Sequence, residues 1–246
     1  MKQKTIALID SGVGGLSILA PLKSALPYND FLYYSDGCNL PYGDKSQAEL
    51  CAIAERIVCN VCDKFKVDIF VLACNTLTAG AIEHLRVVFK DKIFVGCEPN
   101  LSVPYENGKK SPLVLCTPFT QSSQRITSRF GAKAAFLSAP LLAEMIEREE
   151  DDSSIKKYLL NLLPLQQAQK YDCIVLGCTH YFLKKQLIED LFALPVYTSV
   201  DGVIKRVLHF VFEKNALCTF GNPIICFWET GKEDKTPSVL RFWKKL

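Results

Sequence analysis

Several things are scarce in this chain, and each scarcity closes off a class of function. Histidine occurs only three times, at His84, His180 and His209, too few for a histidine-rich metal centre. No apolar run approaches the ~18 residues that a membrane helix requires. The apolar piece in the opening MKQKTIALID is shorter than the core of a signal peptide, so a cytoplasmic protein with no membrane partner is expected. The net charge is only +3. Its lysines and arginines are scattered, with pairs such as Lys109-Lys110 and Lys244-Lys245 reading as solvated surface. Without a basic stripe interleaved with aromatics, nucleic acid is not an expected partner. A nucleotide loop is also missing: DSGVGG, residues 10 to 15, follows a strand, but GxGxxG is broken and no Gly-Lys-Ser follows.

Cysteine, by contrast, is abundant, with 11 in 246 residues. The number is odd and many lie in apolar segments, so reduced thiols packed as small hydrophobes are expected rather than a disulfide framework. Core packing is the expectation for Cys51, Cys59 and Cys62, and likewise for Cys97, Cys116, Cys173, Cys218 and Cys226. The Cys59-Asn-Val-Cys62 spacing also suits a redox or metal pair, but no second pair lies at zinc-finger distance.

Short apolar runs alternate with amphipathic segments, which predicts an α/β protein with mainly parallel sheets. Strands are expected at Thr5–Ile9, Phe31–Tyr34, Ile69–Ala73, Ile93–Val95, Leu113–Cys116, Ala134–Leu137, Cys173–Leu176, Val196–Thr198 and Thr219–Gly221. Helices are expected near 15–25, 46–65, 77–90, 121–130, 141–149, 155–163, 182–192, 201–213 and 237–245. The stretch PNLSVPYENGKKSP, 99 to 112, reads as a crossing between two lobes.

A long-period echo gives the lobes a relation to each other. DIFVLACNTL at 68 to 77 returns as DCIVLGCTHY at 172 to 181, with Asp68, Val71, Leu72 and Cys74 each repeated 104 positions later. The expected architecture is two similar, pseudo-twofold-related α/β lobes, 1–98 plus 208–246 and 99–207, with the site in the cleft between them. In open α/β sheets ligands sit beyond the strand C-termini, so Cys74 and Cys178 would approach one cleft from opposite sides.

A free thiol is only about 3% ionised at neutral pH, but a helix N-terminus raises that fraction. One thiolate could take a proton while the opposite thiol gives one, the equipment for inverting a stereocentre. A redox disulfide is another reading, as is a nucleophilic cysteine aided by His180, two residues beyond Cys178. For DSGVGG, a tight turn presenting Asp10 and Ser11 and a plain helix cap fit equally well. His84 and His209 fall in helical segments and read as structural or surface residues.

Taken together, IALIDSGVGGLSIL, LPYGDKS, VLACNTLTAG, CEPN, CTPFTQSS and LGCTHY, with a weaker FWETG, resemble the glutamate racemases of the cofactor-independent aspartate/glutamate racemase superfamily. They stand in that family's order along nearly the whole chain. The resemblance implies an isomerase interconverting L- and D-glutamate for peptidoglycan synthesis, with no cofactor and no metal. It implies Cys74 and Cys178 as the acid/base pair, assisted by Asp10, His180 and, on a looser match, Glu147. It implies substrate binding by Asp10, Ser11, Tyr42, Gly43, Asn75, Thr76, Thr117, Thr120, Thr179 and His180, with Ser123 keeping the spacing of the Thr-rich turn. A small-molecule substrate and a homodimer are the expected partners. The chain departs from the pattern at Asp36-Gly37-Cys38-Asn39, at Ala139 and at Phe182. An aspartate racemase and a non-catalytic amino-acid-binding paralogue are the alternative readings.

Overall fold

The computed structural model describes residues 4–212, 224–230 and 238–245. Among the described residues, nine strands form two wholly parallel sheets. The first contains β1 (Thr5–Asp10), β2 (Asp30–Ser35), β3 (Ile69–Leu72), β4 (Ile93–Gly96) and β9 (Ile225–Glu229), in the order β4-β3-β1-β2-β9. The second contains β5 (Pro112–Cys116), β6 (Ala135–Ser138), β7 (Cys173–Gly177) and β8 (Val196–Tyr197), in the order β6-β5-β7-β8. With β9 set aside and the second order reversed, the sheets match strand for strand: β1 with β5, β2 with β6, β3 with β7 and β4 with β8. The sequence echo at 68 and 172 is therefore the echo of β3 in β7.

The central strands are buried along their whole length, as IFVL and CIVLG show. Parallel strands covered on both faces read as continuous apolar runs, which is why eight of the nine were legible. The covering helices are α1 (Leu16–Ala25), α2 (Gln47–Lys64), α3 (Asn75–Val88) and α4 (Ser102–Glu106), then α5 (Pro118–Ser122), α6 (Gln124–Phe130), α7 (Leu142–Glu147) and α8 (Asp152–Leu162). After these come α9 (Leu165–Ala168), α10 (Thr179–Phe182), α11 (Lys185–Phe192), α12 (Val200–Phe212) and α13 (Ser238–Trp243).

One hydrophobic core joins the lobes. It runs from Leu8, Val13 and Leu16 to Leu142, Ile146, Tyr181 and Val207, while the outer face of each sheet packs a separate cluster. The helix α2 begins with a capping box, Ser46 with Glu49, satisfying two end donors reciprocally.

Several expectations need correction. The single helix expected at 121–130 is two, because Ser123 adopts extended backbone (φ −61°, ψ 123°) between α5 and α6. The helix expected at 182–192 is α11, beginning at Lys185, and the short α10 precedes it. The crossing at 99–112 contains α4. The last strand is β9, over Ile225–Glu229, and the expected strand at Thr219–Gly221 lies outside the described residues, as does Cys218. The expected boundary at 207/208 falls inside the unbroken α12, which packs on α1 and β4.

Cys59 is exposed and Cys51, Cys62 and Cys226 only partly covered. The buried face of α2 runs through Leu50, Ile53, Ala54, Ile57, Val58 and Val61, so Cys59 sits off it. Cys97, Cys116 and Cys173 are buried as expected.

Candidate active site

Three strand ends and the turns after them build the site. At the end of β1, Asp10 is fully buried. Its Oδ2 accepts hydrogen bonds from Gly15 N–H (2.9 Å), the Tyr33 hydroxyl (3.1 Å) and Gly12 N–H (3.3 Å). Both readings of DSGVGG thus hold in part. Asp10 ties the turn to the start of α1, although Gly15, not Asp10, is the residue that caps it. Burial pushes the Asp10 carboxyl up, and the nearby His180 and the two backbone donors pull against that shift.

At the end of β3, Cys74 is 4% exposed and caps α3, its sulfur accepting from Leu77 N–H at 3.5 Å. The Ser11 hydroxyl donates to the same sulfur at 3.8 Å. Burial, then the Asp10 charge, push this thiol well above its ordinary range. Cys74 therefore rests as the neutral thiol.

At the end of β7, Cys178 is 6% exposed. His180 Nδ1 lies 4.0 Å from its sulfur, and His180 Nε2 lies 2.7 Å from Glu147 Oε1. Glu147 ends α7 and also accepts from Val13 N–H at 2.8 Å, across the lobe boundary. Burial works against charge on His180, but its bonds to Cys178 and Glu147 outweigh it and hold the ring well above the usual histidine range. The result is a Cys178–His180–Glu147 line, buried at the cysteine and histidine and partly exposed at Glu147.

The lobes are stitched at this point. Thr76 and Thr117 share a hydrogen bond of 2.9 Å, Thr117 donates to Thr120 at 3.0 Å, and Thr179 donates weakly to Asp10 Oδ1 at 3.4 Å. Gly14 has no room for a side chain, since an added Cβ would meet the backbone of Thr179 and His180. Asn75 is buried and its Nδ2 has no hydrogen-bond partner among the described residues.

Tyr42 is placed by a different contact, its hydroxyl donating to Asp36 Oδ2 at 2.7 Å. That carboxylate is also held by Asn39 and Thr230. Gly43 sits against Thr117, where an added Cβ would lie 3.4 Å from the threonine Cβ. Ser123 is buried but lies at the break between α5 and α6, where its carbonyl accepts from the Ile126 and Thr127 N–H groups at the start of α6.

The structure thus brings Asp10, Ser11 and Cys74 of one lobe beside Glu147, Cys178, Thr179 and His180 of the other. Reading the sequence missed Tyr33, whose hydroxyl also donates to Gly12 O at 2.9 Å, because a tyrosine in a buried strand looks like core. It also missed Asp36, which stood out only as a departure from a familiar pattern. Both site cysteines are free thiols, and no group of three or more His, Cys, Asp or Glu among the described residues is arranged to hold a metal ion.

The relatives decide the affiliation. The glutamate racemase of Leptospira interrogans is 37% identical over 211 residues, 83% of this chain and 81% of its own length. The chain belongs to the glutamate racemase family. A further family member, the glutamate racemase of Herpetosiphon aurantiacus, is 37% identical over 202 residues, 78% of this chain and 77% of its own.

Solved racemases share the architecture. The crystal structure of the Francisella tularensis glutamate racemase in complex with D-glutamate superposes with a TM-score of 0.86 at 25% identity, covering 100% of this chain and 95% of that one. The Aquifex pyrophilus glutamate racemase gives 0.75 at 27% identity, covering 98% and 94%. No family model matches the chain. Family membership makes this chain an isomerase of α/β architecture. Among its described residues no helix is long and apolar enough to cross a membrane.

Proposed function

We propose that this chain interconverts L- and D-glutamate by proton transfer between Cys74 and Cys178, and that the D-glutamate serves peptidoglycan synthesis. The observation that carries the reading is the placement of two buried free thiols at equivalent strand ends, β3 and β7, one from each lobe, near enough that Cys178 acts on the Cys74 thiol. A single base returns a proton to the face it came from, whereas two opposed groups exchange the faces.

In the L-to-D direction, Cys178 acts as the thiolate, facing the His180 ring whose other nitrogen is held by Glu147. The Cys178 sulfur takes the α-proton and the C–H electron pair stays on the carbon. The neutral Cys74 thiol donates its proton to the opposite face. One C–H bond breaks, one forms, and nothing is oxidised. The reverse direction exchanges the two roles. Ser11, Asn75, Thr76, Thr117, Thr179 and the backbone N–H groups at Tyr42 and Gly43 supply donors for two carboxylates, and Asp10 supplies an acceptor. Low-dielectric surroundings strengthen such bonds as charge develops.

The test is incubation of the protein with L-glutamate, and separately L-aspartate, in deuterated water with chiral detection. Deuterium at the α-carbon of D-glutamate supports the reading. Inversion of aspartate alone would move it to the other substrate of the superfamily, and no inversion of either would overturn it.

A further inference from the structure

Asn75 is the first residue of α3, next to Cys74, and its carboxamide is held from one side only. Its Oδ1 faces Cys97 Sγ at 3.6 Å, and Cys97 Sγ lies 3.0 Å from Ser199 Oγ. All three residues are buried. Burial pushes the Cys97 thiol up to about 12, so the sulfur carries its proton. With that S–H donated to Asn75 Oδ1, the Ser199 hydroxyl must donate to the sulfur. The chain of bonds runs one way, from Ser199 to Cys97 to Asn75. A buried donor without a partner costs about 1–3 kcal/mol, so the unpartnered Nδ2 marks a place where an acceptor belongs.

We infer that Cys97 and Ser199 are a positioning pair that turns the Asn75 carboxamide so that its NH2 group, not its oxygen, meets a carboxylate of the substrate. The inference rests on the proposed racemase function. Rotated by half a turn, the amide would present an oxygen to the carboxylate and repel it. The backbone of Cys97 is itself pinned to α3, its N–H donating to Thr78 Oγ1 at 3.0 Å, which in turn donates to Leu72 O at 3.1 Å.

The pair also spans the two crossings between lobes. Cys97 follows β4 on the outward crossing, and Ser199 precedes α12 on the return. Movement of either crossing would therefore reach the amide directly, through two hydrogen bonds.

The experiment is a double-mutant cycle on glutamate racemisation with Cys97→Ala, Cys97→Ser, Asn75→Ala and Cys97→Ala/Asn75→Ala. Cys97→Ala is expected to raise KM about tenfold, the equivalent of one net hydrogen bond, with kcat within about twofold. Cys97→Ser keeps a donor and holds KM within about threefold of the parent. In the Asn75→Ala background the Cys97 change should have no further effect on KM. An equal rise in both backgrounds, or none in either, overturns the inference.

If Cys97→Ala fails to fold, Ser199→Ala carries the same cycle. The side-chain 15N resonance of Asn75, titrated with L-glutamate, separates this inference from the function it rests on. A shift without turnover leaves the amide placed and the racemase reading overturned, whereas turnover without a shift overturns the positioning pair alone.

Discussion

Adding one methyl group at Gly14 should damage the site more than its size suggests. The glycine lies in the turn after β1 and faces the backbone of the opposite lobe. An ideal Cβ there would stand 2.8 Å from the Thr179 carbonyl carbon and 2.7 Å from His180 Nδ1, and closer still to the His180 amide nitrogen. An ordinary contact begins near 3.4 Å, so for Thr179 alone the surfaces must part by about 0.6 Å. No rotamer change relieves this, because two of the three atoms are backbone.

Overpacking of this kind costs typically 1–3 kcal/mol. For a chain of this size about 2 kcal/mol lowers Tm by roughly 4–8 °C. The larger effect falls on turnover, because a 1 Å misplacement of reacting groups can cost 10²-fold, and Cys178 and His180 flank the strained contact. Gly14→Ala should therefore lower kcat/KM by roughly 10- to 100-fold. Gly202→Ala is the control. It lies in α12, its nearest atom would be Asn100 Nδ2 at 3.4 Å, and alanine there should add about 0.5–1 kcal/mol. Circular dichroism follows both glutamate inversion and thermal unfolding. Wild-type turnover and Tm in Gly14→Ala would refute the close approach of the lobes.

The remaining predictions concern individual charges and thiols. Cys74→Ser and Cys178→Ser should each fold with near-parental Tm and lose at least about 100-fold in racemisation; full activity in either would end the two-thiol reading. His180 holds its proton above the unfolded value of about 6.5. Its contribution to stability is complete below that pH and lost as pH rises through the raised value, so the denaturant midpoint should fall with pH on that side and do so less in His180→Gln. Tyr33→Phe removes the hydroxyl shared by Asp10 and Gly12 and should cost about 1–2 kcal/mol by urea denaturation. Glu98 pairs with Arg125 at 2.5 Å and Arg129 at 2.6 Å, so Glu98→Gln should destabilise by about 1–2 kcal/mol, less in high salt, also by urea denaturation.

What the sequence made legible follows from how local each signal is. The buried strands of both sheets announce themselves as apolar runs, and the β3/β7 echo is written in four shared residues. The Cys178–His180 approach is also short in sequence, only two residues apart. β9 escaped because Ile225–Glu229 is a brief run near the end of the chain, and it becomes a strand only by pairing with β2. Ser123 broke a helix that periodicity had joined. Tyr33, Cys97 and Ser199 were invisible for another reason. Their partners lie 21 to 102 positions away, and each residue alone looks like packing. The carboxylate of Asp10 was conspicuous in the motif, but its first task, holding Gly12, Gly15 and Tyr33, belongs to the turn.

The repeat also explains why the two thiols are not interchangeable. The register of β1 on β3 sets Ile9 opposite Leu72, and that of β5 on β7 sets Leu115 opposite Leu176. One residue further on, Asp10 in the first lobe corresponds to Cys116 in the second, and one more brings Ser11 into correspondence with Thr117. The carboxylate beside Cys74 thus has a neutral counterpart in the second lobe, where burial and the nearby Cys178 push the Cys116 thiol up to about 12. The second lobe obtains its charge elsewhere, from His180 and from Glu147 on α7. Burial and then the Asp10 charge push the Cys74 thiol up, while His180 Nδ1 lies 4.0 Å from the Cys178 sulfur. Before substrate arrives, the two thiols already have unlike neighbours, a carboxylate at the first and a histidine held by a carboxylate at the second. The interlobe contacts of Glu147 with Val13 and of Thr179 with Asp10 join these two sets of neighbours.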